Sequence, residues 1–489
     1  MIKNDAQFLL LSLKNKMLPV RALSTKGYSV AKSELTPTQI LLIKKELTVS
    51  AEGPAAYTAG SPAFKVYLES AERFYLPTAW GLNQFGPAIS DIRARGDDLP
   101  AALKFGGELR IHQVAALESF RSVGHNGIIC LPCGYGKTFT GIAAAMEIGK
   151  CFLIVVHKEF LADQWSAELR SLVPGIRIGR IQGEKCDVGA EFDVSIAMIQ
   201  TLCSRNFLAG TFNHFGFAIF DEVHHLAAEH FSQTLQRVHC PKMLGLTATP
   251  KRNDGLSKVF GWYLGSIVYQ IARRPKDDTV RVECLRYTDS DDAYTEVKCG
   301  WDGKPIRACM VNNIANFAPR TRAMIEWVAP CLSETGRRLL VLSDRREHLK
   351  EFETGFKACG VTSIGYYVGG MKQKDLDASA TRTVILGTFA MASEGMNIPT
   401  LNAVLLATPK SNIEQSVGRI LRLKPEERTV QPRIYDVLDT AFPECFGQWS
   451  RRRKFYRECG YTVKFSTDES EESSEAETPA ADGCLIVDD

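Results

Sequence analysis

The stretch Leu131-Pro-Cys-Gly-Tyr-Gly-Lys-Thr138 limits what this chain can fold into more than any other. It follows a short apolar run, residues 128–131, that reads as a buried strand. It precedes residues 139–147, whose alanine content and length predict a helix. Strand, glycine-bearing turn and helix together form a cradle in which backbone N–H groups face an anion. The helix N-terminus adds partial positive charge. Gly134 and Gly136, on either side of Tyr135, permit the tight turn. Lys137 can reach terminal phosphates, and the Thr138 hydroxyl suits Mg2+. The strict GxxxxGK[ST] spacing fails at its first position, which is Leu131. In isolation, the shorter form is also what a glycine turn beside a surface lysine would look like.

The surrounding pattern supports the cradle. From 100 to 275, apolar runs at 128–131, 151–156, 193–198, 217–220 and 243–247 alternate with helical stretches such as 160–172. Unbroken apolar runs suit strands buried on both faces. The alternation implies a parallel sheet with right-handed crossovers, with ligands at the carboxyl ends of its strands. A second block, 316–465, repeats the pattern with strands expected at 339–343, 363–367, 383–387, 403–407 and 433–437. It carries no phosphate cradle of its own. Residues 276–315 are polar and mixed and read as a linker with a hairpin.

Residues 1–99 read as an accessory domain. There, 36–46 is expected to be a helix capped by Thr36 with Pro37 in its first turn. Residues 64–75 read as a second amphipathic helix, and 77–86 as an aromatic, turn-rich segment. A chain of 489 residues accommodates two to four domains. The net charge of +3 hides an asymmetry, because 467–489 holds nine acidic residues and no Lys or Arg. That tail, from 466, is disordered by composition. The rest is correspondingly basic, as suits a polyanion partner.

The 14 cysteines include one CxxC, Cys130 to Cys133, inside the cradle and without a second pair to complete a zinc site. They read as reduced thiols of an intracellular, soluble protein. No apolar run approaches a membrane span of about 18 residues. Nucleus and cytoplasm stay open, with the virion added if the chain is viral.

The second half of a nucleotide site comes further on. Phe217-Ala-Ile-Phe-Asp-Glu-Val-His-His225 is an apolar strand ending in two carboxylates. Asp221 can hold Mg2+ directly or through water. Glu222 can orient and deprotonate an attacking water. Leu246-Thr-Ala-Thr-Pro250 follows another strand. In the second block, Gln415-Ser-Val-Gly-Arg-Ile-Leu-Arg422 sets two arginines three apart, expected on one helical face. Arginine supplies fixed charge for phosphoryl transfer.

In this order and combination, the motifs resemble those of helicase superfamily two, DExH type. The resemblance is greatest to the branch of the xeroderma pigmentosum group B transcription and repair helicase, and to helicases of large cytoplasmic DNA viruses. It covers residues 109–457. The resemblance implies an α/β fold of two tandem RecA-like parallel-sheet domains, with the N-terminal accessory domain and the acidic tail outside them. It implies ATP and Mg2+ as cofactors, held by Gly134, Tyr135, Gly136, Lys137, Thr138 and Asp221. Glu222 would be the base, and Arg419 and Arg422 the arginine fingers. Arg110 and Gln113 lie in the motif that precedes the cradle, where the glutamine would read adenine. Gly395 and Asn397 match a motif joining nucleotide to strand, although the family usually has Asp at the latter position.

His224, Thr247, Thr249 and Gln415 would couple the nucleotide to movement. His157, Thr201, Arg252, Asp254, Ser343, Arg345, Gly370 and Thr388 would contact nucleic acid. Arg252-Asn-Asp254 stands where the group B type carries Arg-Glu-Asp, an element linked there to strand separation. The expected partner is nucleic acid, DNA ahead of RNA, with a transcription complex reached through the N-terminal domain or the tail, and no membrane. Three readings remain: a DNA helicase or translocase of transcription or repair, an RNA motor, and an ATP-gated clamp that does not unwind. No nuclease motif is evident, so a restriction-type fusion is not expected.

Overall fold

A computed structural model describes residues 19–50, 63–132, 134–223, 229–248, 256–271, 276–301, 303, 305–394, 396, 398–423 and 425–466. The chain divides into two compact units, Met1–Arg274 and Pro275–Asp489.

The first unit is built on an eight-stranded sheet. Its order is Lys185–Cys186, Ile178–Gln182, Val194–Met198, Phe152–Val156, Phe217–Asp221, Lys242–Thr247, Asn126–Cys130 and Ile267–Gln270. All neighbours run parallel except the short first strand. The central strands Phe152–Val156, Val194–Met198 and Phe217–Asp221 are buried at every residue, which is why they read as continuous apolar runs. The sequence did not flag Ile178–Gln182 or Ile267–Gln270. The first alternates buried and half-buried residues, and the second is half exposed at the sheet edge.

The accessory segment forms its own five-stranded sheet, which includes Arg21–Ser24, Gly27–Ala31 and Arg73–Leu76. The helix Pro37–Glu46 forms as expected. Thr36 accepts from Gln39 N, and the Gln39 side chain accepts from Thr36 N, a reciprocal cap. The second expected helix does not form. Residues 64–76 are three short strands, Phe64–Lys65, Leu68–Glu69 and Arg73–Leu76. Phe64, Phe74 and Leu76 face the core from the strands, with Val66 and Tyr67 buried in the bend between two of them, and the aromatic Phe64 and Phe74 suit strand positions. The turn-rich segment is the helix Thr78–Phe85, ended by Gly86 at φ +75°.

This sheet does not stand alone. Tyr28, Phe74 and Trp80 share one core with Val259, Phe260 and Tyr263. Tyr263 Oη donates to Val66 O at 2.8 Å, Arg93 Nη1 donates to Cys240 O at 3.2 Å, and Thr78 Oγ1 lies 3.3 Å from His239 Nδ1.

The second unit has a seven-stranded sheet, entirely parallel. Its order is Ile364–Tyr367, Val384–Thr388, Leu339–Ser343, Ala403–Leu406, Arg433–Asp439, Arg281–Tyr287 and Thr462–Phe465. Residues 276–315 therefore are not simply a linker. They supply a strand paired on both sides and the helix Arg307–Asn316. A hairpin-like loop is present, closed by an antiparallel bridge between Cys299 and Pro305. The strand was illegible because its buried residues, Val282 and Cys284, are spaced by the charged Glu283. Beneath this sheet Arg320, fully buried, forks onto Asp439, and Tyr294 Oη donates to the same carboxylate at 2.8 Å.

Candidate functional site

Three neighbouring strands of the first sheet end together. Asp221 pairs with Leu246, and Thr247 pairs with Cys130. The loop after Cys130 turns through Gly134 at φ +86° and Gly136 at φ +75°, and the helix Lys137–Ile148 starts immediately. Space beside Gly134 is open, whereas a Cβ on Gly136 would lie 2.4 Å from Gln113 Nε2. Gln113 is buried. Its Oε1 accepts from Arg110 N at 2.8 Å, and its Nε2 faces Tyr135 O and Gly136 O at 3.4 Å each. The segment preceding the cradle is thus bound to the cradle's backbone. Arg110 itself is exposed, and Tyr135 and Thr138 are half-buried.

Lys137 Nζ lies 2.7 Å from Glu222 Oε1. Asp221 is buried. Its Oδ2 accepts from Trp165 Nε1 at 2.9 Å, and its Oδ1 accepts from Glu222 N at 3.0 Å. Burial first, then the adjacent Glu222 carboxylate, raises the Asp221 carboxyl above the usual range. Glu222 holds φ +51°, a left-handed conformation that a residue with a long side chain seldom adopts. Two carboxylates against one ammonium, beside an open anion cradle, form a donor set that fits a divalent cation with phosphate. Cys130, just behind the cradle, is pushed up to about 12 by burial, so it stays a thiol.

In the second unit, the helix Glu414–Gly418 ends before either arginine. Arg419 is the residue that closes it and Arg422 lies beyond, so they do not share a helical face as expected. They converge through a carbonyl instead. Arg419 Nη1 and Arg422 Nη2 each donate to Met396 O at 2.9 Å, and Arg419 Nε donates to Ala392 O at 2.6 Å.

Residues 107–252 match the family model described as Type III restriction enzyme, res subunit. A protein of Acanthamoeba polyphaga mimivirus, assigned as an ATP-dependent RNA helicase, is 31% identical over 455 residues, covering 90% of this chain and 85% of that one. The chain belongs to the superfamily-two helicases. A DNA 3'-5' helicase, XPB, of Mycobacterium tuberculosis is 36% identical over 160 residues, 31% of this chain and 28% of that protein. Among solved structures, S. cerevisiae Dbp5 bound to RNA and ADP BeF3 superposes with a TM-score of 0.53 at 11% identity, covering 73% of this chain and 90% of that one. At that identity the match shows the fold alone, two RecA-like domains.

A helicase of this family is an ATP-hydrolysing enzyme that uses ATP, typically with Mg2+, and binds nucleic acid. Among the described residues, no helix is long and apolar enough to cross a membrane. The helicase's expected strand contacts are placed unevenly. His157 and Thr201 are buried, and Thr201 Oγ1 accepts from Gly183 N at 3.0 Å. Ser343 is buried between His348 Nδ1 and Arg345 N, both at 3.0 Å. The hydroxyls of Thr201 and Ser343 therefore hold turns inside the protein. Arg345 Nε donates to Asn312 Oδ1 at 2.6 Å. Gly370 is exposed, and Thr388 and Gln415 are half-buried. Thr247 is fully buried at the end of its strand. His224, Thr249, Arg252, Asp254, Gly395 and Asn397 lie outside the described residues, as do Cys133 and the acidic tail.

One contact was missed from sequence. Trp165 was not among the residues expected at the site, yet it donates to Asp221. The signal was present: Leu161, Ala162, Trp165 and Leu169 form the buried stripe of the helix Glu159–Leu172, and a buried indole N–H needs an acceptor.

Proposed function

We propose that this chain is an ATP-driven motor that moves along nucleic acid and separates its strands, with DNA as the polymer and transcription or repair as the setting. The observation that carries the reading is the cluster Lys137, Glu222, Asp221 and Trp165 at the carboxyl edge of the first sheet. Lys137 and the backbone of 134–138 bind the phosphates of ATP, and Gln113 orients the base. Thr138 and Asp221 would hold Mg2+, which neutralises phosphate charge when bound. Trp165 fixes the Asp221 carboxylate. Glu222 takes the proton of the attacking water. Arg419 and Arg422 stabilise charge on the transferring phosphoryl group, which requires them to leave the Met396 carbonyl.

Support for a polyanion partner comes from a groove of about 860 Å3 in the first unit, between the accessory sheet and residues 206–213. Among the described residues its lining includes Lys26, Lys65 and Arg237 with Phe64 and Phe207, and no carboxylate. Cations interleaved with aromatics suit a strand gripped by its backbone. DNA is favoured by the partial match to the mycobacterial protein; the mimivirus relative's name favours RNA. ATP turnover measured with single-stranded DNA, duplex DNA and RNA tests the reading, alongside opening of a forked duplex. Stimulation by DNA with fork opening is expected. Stimulation by RNA alone would reassign the polymer. Turnover without any polynucleotide response or unwinding would leave an ATP-gated clamp.

A further inference from the structure

Trp301 is fully exposed, while the other five tryptophans are buried or half-buried. It stands on the narrow loop closed by the bridge between Cys299 and Pro305. Gly303 N donates to Gly300 O at 2.9 Å, and Ile306 N donates to Lys298 O at 2.8 Å, so the loop is tied across its neck. Gly303 makes the turn at φ +73°. The stem is anchored as well. The Asn313 side chain donates to Glu296 O at 2.6 Å. The helix Arg307–Asn316, which begins where the loop ends, buries Met310, Val311 and Ile314 against Tyr294 and Phe442.

A large indole left in water is unfavourable for a folded protein, and none of the described residues covers it. Its surroundings decide what could. Among the described large apolar side chains beside it, only Ile306 is exposed, at 40%, so the described residues form no contiguous apolar patch of the kind that protein partners seek. The neighbours are instead cationic. Lys298 and Arg307 are exposed at the two ends of the loop, with Glu296 exposed further down the stem. An exposed aromatic plane with a cation at each end of its loop matches a ligand that is a flat π face carrying phosphates.

We propose that Trp301 is a base-stacking site: its indole takes the face of a nucleobase at the junction of single and double strand, and Lys298 and Arg307 hold the adjoining phosphates. The site rests on the motor reading above and adds to it a strand-parting surface outside the nucleotide cluster. Stacking is indifferent to base identity, so the site carries no sequence preference.

The test uses the full chain, as wild type, Trp301→Ala and Trp301→Phe, with oligothymidylate and a forked DNA duplex as probes. In the wild type, oligothymidylate should quench tryptophan emission, and both substitutions should remove the main part of that quenching. Trp301→Ala should weaken oligonucleotide binding roughly tenfold and slow fork opening by at least as much, with DNA-stimulated ATP turnover kept within about twofold. Trp301→Phe should retain most fork opening, because a phenyl ring still stacks. Undiminished quenching and fork opening in Trp301→Ala, with stimulated turnover intact, would overturn the stacking site and leave the motor reading standing. Absence of any DNA response in the wild type would remove both.

Discussion

Lys137 Nζ and Glu222 Oε1 are 2.7 Å apart, and each side chain is only 13% exposed. The ammonium proposed for phosphate and the carboxylate proposed for water therefore neutralise each other before any substrate arrives. Phosphate can take Lys137 only by drawing it from Glu222, and the same exchange leaves Glu222 without its cation and more basic. Glu222→Gln should cut ATP turnover roughly 100- to 10,000-fold while ATP still binds. Lys137→Ala should lose binding as well, since it removes the phosphate partner and leaves two carboxylates adjacent. Single-turnover hydrolysis together with nucleotide titration separates the two. Wild-type turnover in either variant would remove that residue from its role.

Trp165→Phe deletes one donor and keeps most of the packing. A hydrogen bond to a charged acceptor contributes about 1.5–3 kcal/mol, and its loss lets the Asp221 carboxylate turn. Turnover should fall roughly tenfold or more, with the deficit narrowed by raising Mg2+. A deficit that Mg2+ leaves unchanged would place Trp165 in packing only.

Gly136→Ala meets two obstacles at once. The backbone sits at φ +75°, and the added Cβ would lie 2.4 Å from Gln113 Nε2. The left-handed conformation alone costs about 1–2 kcal/mol for a residue with a Cβ, and Gln113 has to swing off the loop. The expected result is a raised KM for ATP and weaker preference for ATP over GTP. Gln113→Ala should reproduce the lost preference without the folding cost. Unchanged base preference in both variants would remove Gln113 from base recognition.

Acid should destabilise both units. His239 and His348 are buried, and their rings are pushed down to about 3, first by burial and then by Arg93 and Arg320 respectively. In the unfolded chain they titrate near about 6.5. Below that value the unfolded state binds the extra protons. The stability they contribute is therefore complete above about pH 6.5 and is lost as pH falls toward the folded values, by up to about 1.4 kcal/mol per pH unit for each ring. Thermal melts should drop between pH 7.5 and 5.5, and His348→Gln should flatten that slope. Because His239 faces Thr78 of the accessory segment's helix Thr78–Phe85, proteolysis within residues 19–99 should increase over the same range. A flat profile in the wild type would contradict the assignment.

How far the sequence could be read follows from burial and spacing. Strands buried on both faces, such as Phe217–Asp221, were legible because every residue is apolar up to the carboxylate that ends them. Arg281–Tyr287 was not, because a strand alternating buried apolar with half-buried charged residues reads like a linker until its neighbour, Arg433–Asp439, is known. The accessory helix Pro37–Glu46 carries its own cap and could be placed to the residue, whereas 64–76 has spacing that fits helix and strand alike. The phosphate cradle and its carboxylates were visible because their chemistry is local. The hold of Trp165 on Asp221 was not, since it joins residues 56 positions apart.

Arg419 offers the sharpest contrast between positioning and charge. Its Nε and Nη1 donate to Ala392 O and Met396 O, and Arg422 donates to the same Met396 carbonyl. Arg419→Ala withdraws the guanidinium from Ala392 O while Met396 O keeps Arg422, a loss of about 1–3 kcal/mol for the carbonyl left without its donor, so the melting temperature should fall along with turnover. Arg419→Lys keeps the charge, but a single ammonium cannot reproduce the guanidinium fork, and it should restore neither stability nor turnover fully. Arg422→Ala leaves Met396 O bound by Arg419 and should cost little stability. If Arg422→Ala nevertheless lowers turnover at saturating ATP roughly 100-fold or more, the residue acts on the phosphoryl group rather than on the fold. Turnover near wild type would remove Arg422 from that role.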